Sequence, residues 1–312
     1  MVGGKARSVS SVKSGDLLAT PTQHWKDVIG KTDQFASYIK DFQICVSGNR
    51  FAMNDCPYPI SAGIYVGLRW TNAADVRDWS LDSLNALYRA FFWRNALRSR
   101  YDQGFLTKMS TDMKLLASLL DKQASYPTYG AWAAHSATAL DEEVGIAPSE
   151  DEIYQRVIDT RPAGALGKAL MLPLLTQTEN DILDPSKSIS FGKSPERVDL
   201  HHLFPTAWLK DNISSAILEE WYSNSSGSVD CVANLTPMIQ SSNIKWRAKV
   251  PGKALADADV TPNHHGKTLR AHFISSEVYD NLISPHSALP VFWQSRARLI
   301  ATELRSRMEL QG

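Results

Sequence analysis

Apolar residues recur at helical spacing through most of the first 180 positions. The clearest case is "SLDSLNALYRAFFWRNALRSRY", where Ser80 is placed to cap the helix. Leu84, Leu87, Tyr88, Phe91 and Phe92 then fall on a common side. Gly104 is expected just past its end as a left-handed cap. "MSTDMKLLASLLDK" repeats the pattern through Met113, Leu116 and Leu120. "SEDEIYQRVID" opens with the spacing of a capping box, Ser149 to Glu152. "GALGKALMLPLLTQ" is apolar all round, so a buried helix is predicted, bent or ended by Pro173. The many aromatic residues in these helices read as core.

The pattern changes near residue 181. "NDILDPSKSISFGKSPER" is polar and rich in Ser and Pro, which marks a connection or boundary. "RVDLHHLF" then reads as a short strand, and "NISSAILEEWY" as an amphipathic helix with Ile213, Ile217, Leu218 and Trp221 on one side. "SNSSGS" reads as a polar loop, "VDCVANLTPMI" as a second β-rich run, and "QSSNIKWRAK" as a helix capped by Ser241 or Ser242. "NHHGKTLRAH" reads as a loop, and "ALPVFWQSRARLIATELRSRMEL" as a closing helix. The expected organisation is a flexible lead-in over 1–20, an α-helical domain over 21–185, and a smaller domain over 186–312. The fold class is mainly α, with one strand–excursion–strand–helix unit embedded late in the chain.

Composition narrows the function classes. A chain of 312 residues with typical apolar content has enough to bury for one large or two ordinary domains. Formal net charge is zero, which argues against a whole-molecule footprint for nucleic acid but leaves room for a local basic patch. Cys45, Cys56 and Cys231 have neither disulfide nor metal-ligand spacing, which favours a reducing cytoplasm. No apolar run is long enough to span a membrane.

The chemistry-bearing residues cluster in the late unit: His201, His202, Asn234 and Asn243. Hydrolysis of a phosphodiester needs an activated water and something to stabilise negative charge. A divalent ion supplies the second and a neutral imidazole the first. Adjacent strand residues point to opposite faces, so one ring faces an ion and the other a water only where the strand stops or bends. Pro205 fits a strand that stops. Asn234 is a candidate for holding an imidazole through its side chain or carbonyl, and Asn243 can offer an amide oxygen to a metal. The same pair of histidines would also suit a strand with one ring buried and the other exposed.

His, an insertion, Asn, eight residues, then His or Asn resembles the HNH nucleases, the His-Me or ββα-metal finger. The wider text "VDLHHLFPTAWL … ANLTPMIQSSNIKW" is similar to the C-terminal nuclease of GmrSD-type modification-dependent restriction proteins. Phosphorothioation-linked factors of the SspE type share that architecture. "YRAFFWRNALRSRYDQG", "ALGKALMLPLLTQTENDIL" and "VFWQSRARLI" are similar to the flanking helices of those proteins, so the resemblance covers most of the chain. It implies His202 as general base, His201 and Asn243 as metal ligands, and Asn234 as the residue that orients His202. It implies Mg²⁺ or Mn²⁺ as cofactor, double-stranded DNA as substrate, and a cytoplasmic antiviral endonuclease. An N-terminal nucleotide-hydrolysing domain of that family has no counterpart here, so the chain is expected to be a C-terminal part. Two departures stand out: Asn243 is a weaker ligand than His, and a whole helix is inserted between His202 and Asn234.

Lys245, Arg247, Lys249 and Lys253 crowd the stretch after the motif where acidic residues are sparse, with Lys267 and Arg270 beyond. They are candidates for phosphate contacts. Arg296, Arg298, Arg305 and Arg307 of the closing helix have a weaker claim. Asp199 shares a strand face with His201 and is a further candidate ligand. His264, His265 and His272 allow a second metal site or a structural role. Two rival functions remain at this level: a DNA-binding or regulatory module with a degenerate finger, and an RNase or toxin using the same finger.

Overall fold

In a computed structural model, residues 18–72, 77–223, 228–284 and 289–310 are described. The lead-in through residue 17, residues 224–227 of the polar loop and the side chain of Trp221 lie outside them. The fold is mainly helical with one small two-stranded sheet.

The chain forms two compact units. One comprises Met1–Gly48, Tyr58–Pro148 and Arg307–Gly312, the other Asn49–Pro57 and Ser149–Ser306. The division falls after Pro148, ahead of the polar stretch expected to mark it. The reason is packing: the helices of 150–177 belong with the sheet rather than with the helices before them.

The first unit holds α1 (Thr22–Ile29), α2 (Thr32–Ser47), α3 (Ala62–Thr71), α4 (Leu81–Leu97), α5 (Phe105–Asp121) and α6 (Tyr129–Glu143). Ser80 caps α4 by accepting from Ser83 N–H, and Leu84, Leu87, Tyr88, Phe91 and Phe92 are all buried. Phe42 of α2 packs edge-on against Tyr88 and Phe92 of α4, and Tyr65 of α3 packs edge-on against Tyr88. Such ring pairs add about 0.5–1.5 kcal/mol each beyond the area they bury. Gly104 is left-handed as expected but serves the start of α5. The left-handed residue just beyond α4 is Ser99, followed by a short 3₁₀ turn.

The second unit begins with α7 (Glu150–Asp159), whose Ser149–Glu152 capping box is present, and α8 (Gly164–Gln177). Helix α8 runs through Pro173 without ending there. Strand β1 (Val198–His202) leads to α9 (Thr206–Asn212) and α10 (Ser215–Ser223). Ile213 is buried between these two helices, but Ile217 is exposed, so the expected apolar side of this segment is broken. A 3₁₀ turn over 232–234 enters β2 (Leu235–Ile239), and α11 (Gln240–Trp246) follows directly. Then come α12 (Pro251–Asp257), α13 (Pro262–Ala271), α14 (Ser276–Ile283) and α15 (Leu289–Ser306). The "NHHGKTLRAH" segment is therefore helix, not loop: Pro262 sits in the first turn and Leu269 is buried, which is enough to seat a polar helix.

Candidate active site

Strands β1 and β2 pair antiparallel, with His201 opposite Thr236 and His202 opposite Leu235. Helix α11 starts where β2 ends and packs against both strands. Two strands and a helix of this size cannot bury their own polar groups, and distant side chains complete them. Buried Asp181 accepts from the N–H groups of Leu183 and Asp184, and from Ile239 at the end of β2. Glu196 accepts from the backbone N–H and hydroxyl of Ser241, which satisfies the first turn of α11. Those bonds, with Lys187 at 3.0 Å, hold its carboxyl below the usual range. Neither Ser241 nor Ser242 caps this helix; the helix starts earlier, after Ile239, and the acceptor comes from the loop before β1.

His201 is buried beside Trp246, with ring centroids 5.3 Å apart. Burial pushes its imidazole down to about 4, with Asn243 opposing that shift and His202 adding to it. At neutral pH the ring is uncharged, which is the form that ligates a metal. Asn243, in the first turns of α11, therefore lies within reach of His201. No hydrogen bond of good geometry reaches Nε2 of His201, which is buried and unpartnered among the described residues. The two sequence-predicted ligands thus lie together beside a ring nitrogen that still lacks a well-formed bond. Asp199 is half-buried and paired with Arg197 at 2.6 Å, which leaves it a poor ligand. No three His, Cys, Asp or Glu side chains converge to hold a metal among the described residues. A cation here would rely on His201 and Asn243, with water or substrate oxygens completing the shell, a mode suited to a hard divalent ion.

His202 ends β1 and is partly exposed. Its Nε2 lies 3.1 Å from Oδ1 of Asp230, a residue that neither the motif nor its spacing points to. The other Asp230 oxygen lies 3.7 Å from Arg161 Nε. Asn234 is fully buried and does not bond the His202 ring. Its side chain accepts from Phe204 N–H at 2.9 Å and donates to the carbonyls of Phe204 and Val229, while its own carbonyl accepts from Leu203 N–H at 2.7 Å. Its hold on His202 therefore runs through the backbone that follows the histidine.

One open alternative is decided and two other expectations are corrected. His272 cannot ligate: its Nε2–H donates to the Asn180 carbonyl and its Nδ1 accepts from Thr236 Oγ1. Burial holds this ring down to about 4. Arg296 faces no solvent. Its guanidinium donates to the carbonyls of Ala233, Leu235 and His272, and burial lowers it to about 9, so it stays charged at neutral pH. The basic stretch is also less bare than it reads. Lys249 pairs with Asp257 at 2.7 Å, Lys253 also lies near Asp257, and Lys267 is 3.8 Å from Glu179. Lys245 and Lys249 line a cleft of about 360 Å³ together with Asp184 and Asp257. Lys245 and Arg247 are exposed and have no acidic partner among the described residues. Of the remaining basic residues of the closing helix, Arg298 pairs with Asp151 and stacks on Tyr154.

No helix is long and apolar enough to cross a membrane among the described residues. Comparison with protein-family models, curated proteins and solved structures finds no match for this chain.

Proposed function

We propose that this chain is a metal-dependent endonuclease of the ββα-metal type, acting on duplex DNA in the restriction of foreign DNA. One observation carries the proposal. A buried, uncharged and unpartnered imidazole nitrogen lies beside an amide side chain, next to a second, half-exposed histidine at a strand end. Buried polar atoms normally find a partner, and an ion held between this nitrogen and the Asn243 amide would supply one.

In this reading His201 and Asn243 hold a divalent ion, Mg²⁺ or Mn²⁺. Such an ion, when bound, supplies Lewis acidity at a phosphate oxygen. His202 takes a proton from the attacking water at its ring nitrogen. Asn234 fixes the backbone that carries His202. Lys245 and Arg247 offer cations to the phosphate backbone. By its resemblance to GmrSD-type proteins, the chain would act as the cutting part of a larger modification-dependent assembly.

The test is nicking of supercoiled plasmid. Activity is expected to vanish with EDTA and return with Mg²⁺ or Mn²⁺, and His201→Ala should move the metal titration to higher concentration. Full cutting in chelator would end the metal-finger reading. Binding without cutting would favour a regulatory module, and preferential cleavage of competing RNA would favour an RNase.

A further inference from the structure

We infer that Asp230 is a positioning residue for His202, holding the imidazole as the Nε2–H tautomer with its Nδ1 lone pair turned toward the water. The inference rests on the nuclease reading above and adds to it a residue outside the motif. Asp230 is separated from His202 by two helices, α9 and α10.

A neutral imidazole carries one N–H, and a carboxylate only accepts. The 3.1 Å contact between Nε2 and Asp230 Oδ1 therefore puts the proton on Nε2. Nδ1 of His202 makes no hydrogen bond among the described residues, so it is left as the base. The contact is built in from both sides. Asn234 bonds the backbone of Leu203 and Phe204, immediately after His202, and the carbonyl of Val229, immediately before Asp230. One fully buried amide thus ties the strand end that carries the ring to the loop that carries the carboxylate. Arg161 Nε lies 3.7 Å from the second oxygen, so a cation stands on the side of the carboxylate away from the ring.

The arrangement makes Asp230→Asn a sharper test than removal. Arg161 would keep the amide oxygen on its own side, so the amide nitrogen would face Nε2 and donate to it. The ring would be forced to the Nδ1–H tautomer, with its base lone pair pointing away from the water. Nicking should fall roughly ten- to a hundredfold in kcat, as for loss of an outer-shell partner, with KM for DNA unchanged. Nitrogen-15 spectra of His202 in the full chain at about pH 8, where an ordinary ring is neutral, should change from the Nε2–H to the Nδ1–H pattern. Asp230→Glu should restore the Nε2–H pattern and part of the rate. An Nε2–H pattern that survives in Asp230→Asn, or wild-type kcat in that variant, would overturn the inference. If the unaltered chain does not nick DNA at all, the nuclease reading falls, while the tautomer comparison still decides whether Asp230 sets the ring.

Discussion

The helical unit and the sheet-bearing unit solve burial in different ways. Around Phe42, Tyr65, Tyr88 and Phe92, ring packs on ring, and shape and area carry the stability. Around β1 and β2, charged and amide groups from far along the chain reach in to satisfy short strands: Asp181, Asn234, His272 and Arg296. The first arrangement tolerates approximate fit, because dispersion and area change gradually with shape. The second does not, because removing one partner leaves a buried polar atom with nothing to bond. The site proposed above, which would hold two imidazoles in fixed orientation, lies in the second kind of surroundings.

The largest effect should come from the group proposed to take the proton. His202→Ala is expected to lower plasmid nicking by about two to four orders of magnitude. Its thermal midpoint should stay close to that of the parent, since the ring is partly exposed. Normal cutting by this variant would remove His202 as the base.

Next come the two kinds of core. Arg296→Met leaves the carbonyls of Ala233, Leu235 and His272 without their donor and should cost about 3–5 kcal/mol in urea unfolding. Leu87→Met, a volume-conserving swap in the ring-packed core, should cost less than about 1.5 kcal/mol. Equal losses would erase the contrast between the units.

Acid should separate them as well. His272 is held at about 4 when folded, against about 6.5 when unfolded. Between those values the unfolded chain takes up a proton that the folded chain refuses. The stabilisation is therefore complete above about pH 6.5, declines as pH falls toward 4, and amounts to about 3 kcal/mol for this one group. His201 acts in the same direction. Amide exchange followed from neutral pH to pH 4 should show the sheet-bearing unit losing protection first. Simultaneous loss in both units would contradict this.

The smallest effect concerns the basic stretch. Replacing Lys245 and Arg247 with Gln should weaken duplex binding and flatten its salt dependence by about one unit of slope for each phosphate no longer neutralised. The same change at Lys249, which is already paired with Asp257, should do less. An unchanged slope would return all of these residues to an ordinary solvated face.

Much of this architecture is legible in the chain. Helical spacing, the Ser80 cap and the Ser149–Glu152 capping box are local signals, and each is present in the fold. His201 and His202 close β1, Asn234 ends the turn before β2, and Asn243 lies in α11, so the four lie in or next to the sheet and its helix. What escapes depends on contacts between segments far apart. Asp230 lies beyond two helices from the ring it touches, Glu196 caps a helix 45 residues later, and Asp181 closes a strand 58 residues away. Periodicity carries no trace of such pairs. Arg296 misleads for a related reason: a charged side chain reads as solvated unless its partners are visible, and its partners are backbone carbonyls.

The guanidinium of Arg296 has a consequence for anyone who would cut this protein down. Helix α15 carries it, and it binds the backbone on either side of Asn234, at Ala233 and Leu235, and the end of α13 at His272. The two strands and their helix are therefore not a portable cassette. A graft trimmed to residues 198–246 would leave behind the clasp that closes it, and so would any truncation ahead of residue 289. The compact unit that holds both the hairpin and its clasp runs from the capping box at Ser149 to the end of α15, together with the 49–57 segment.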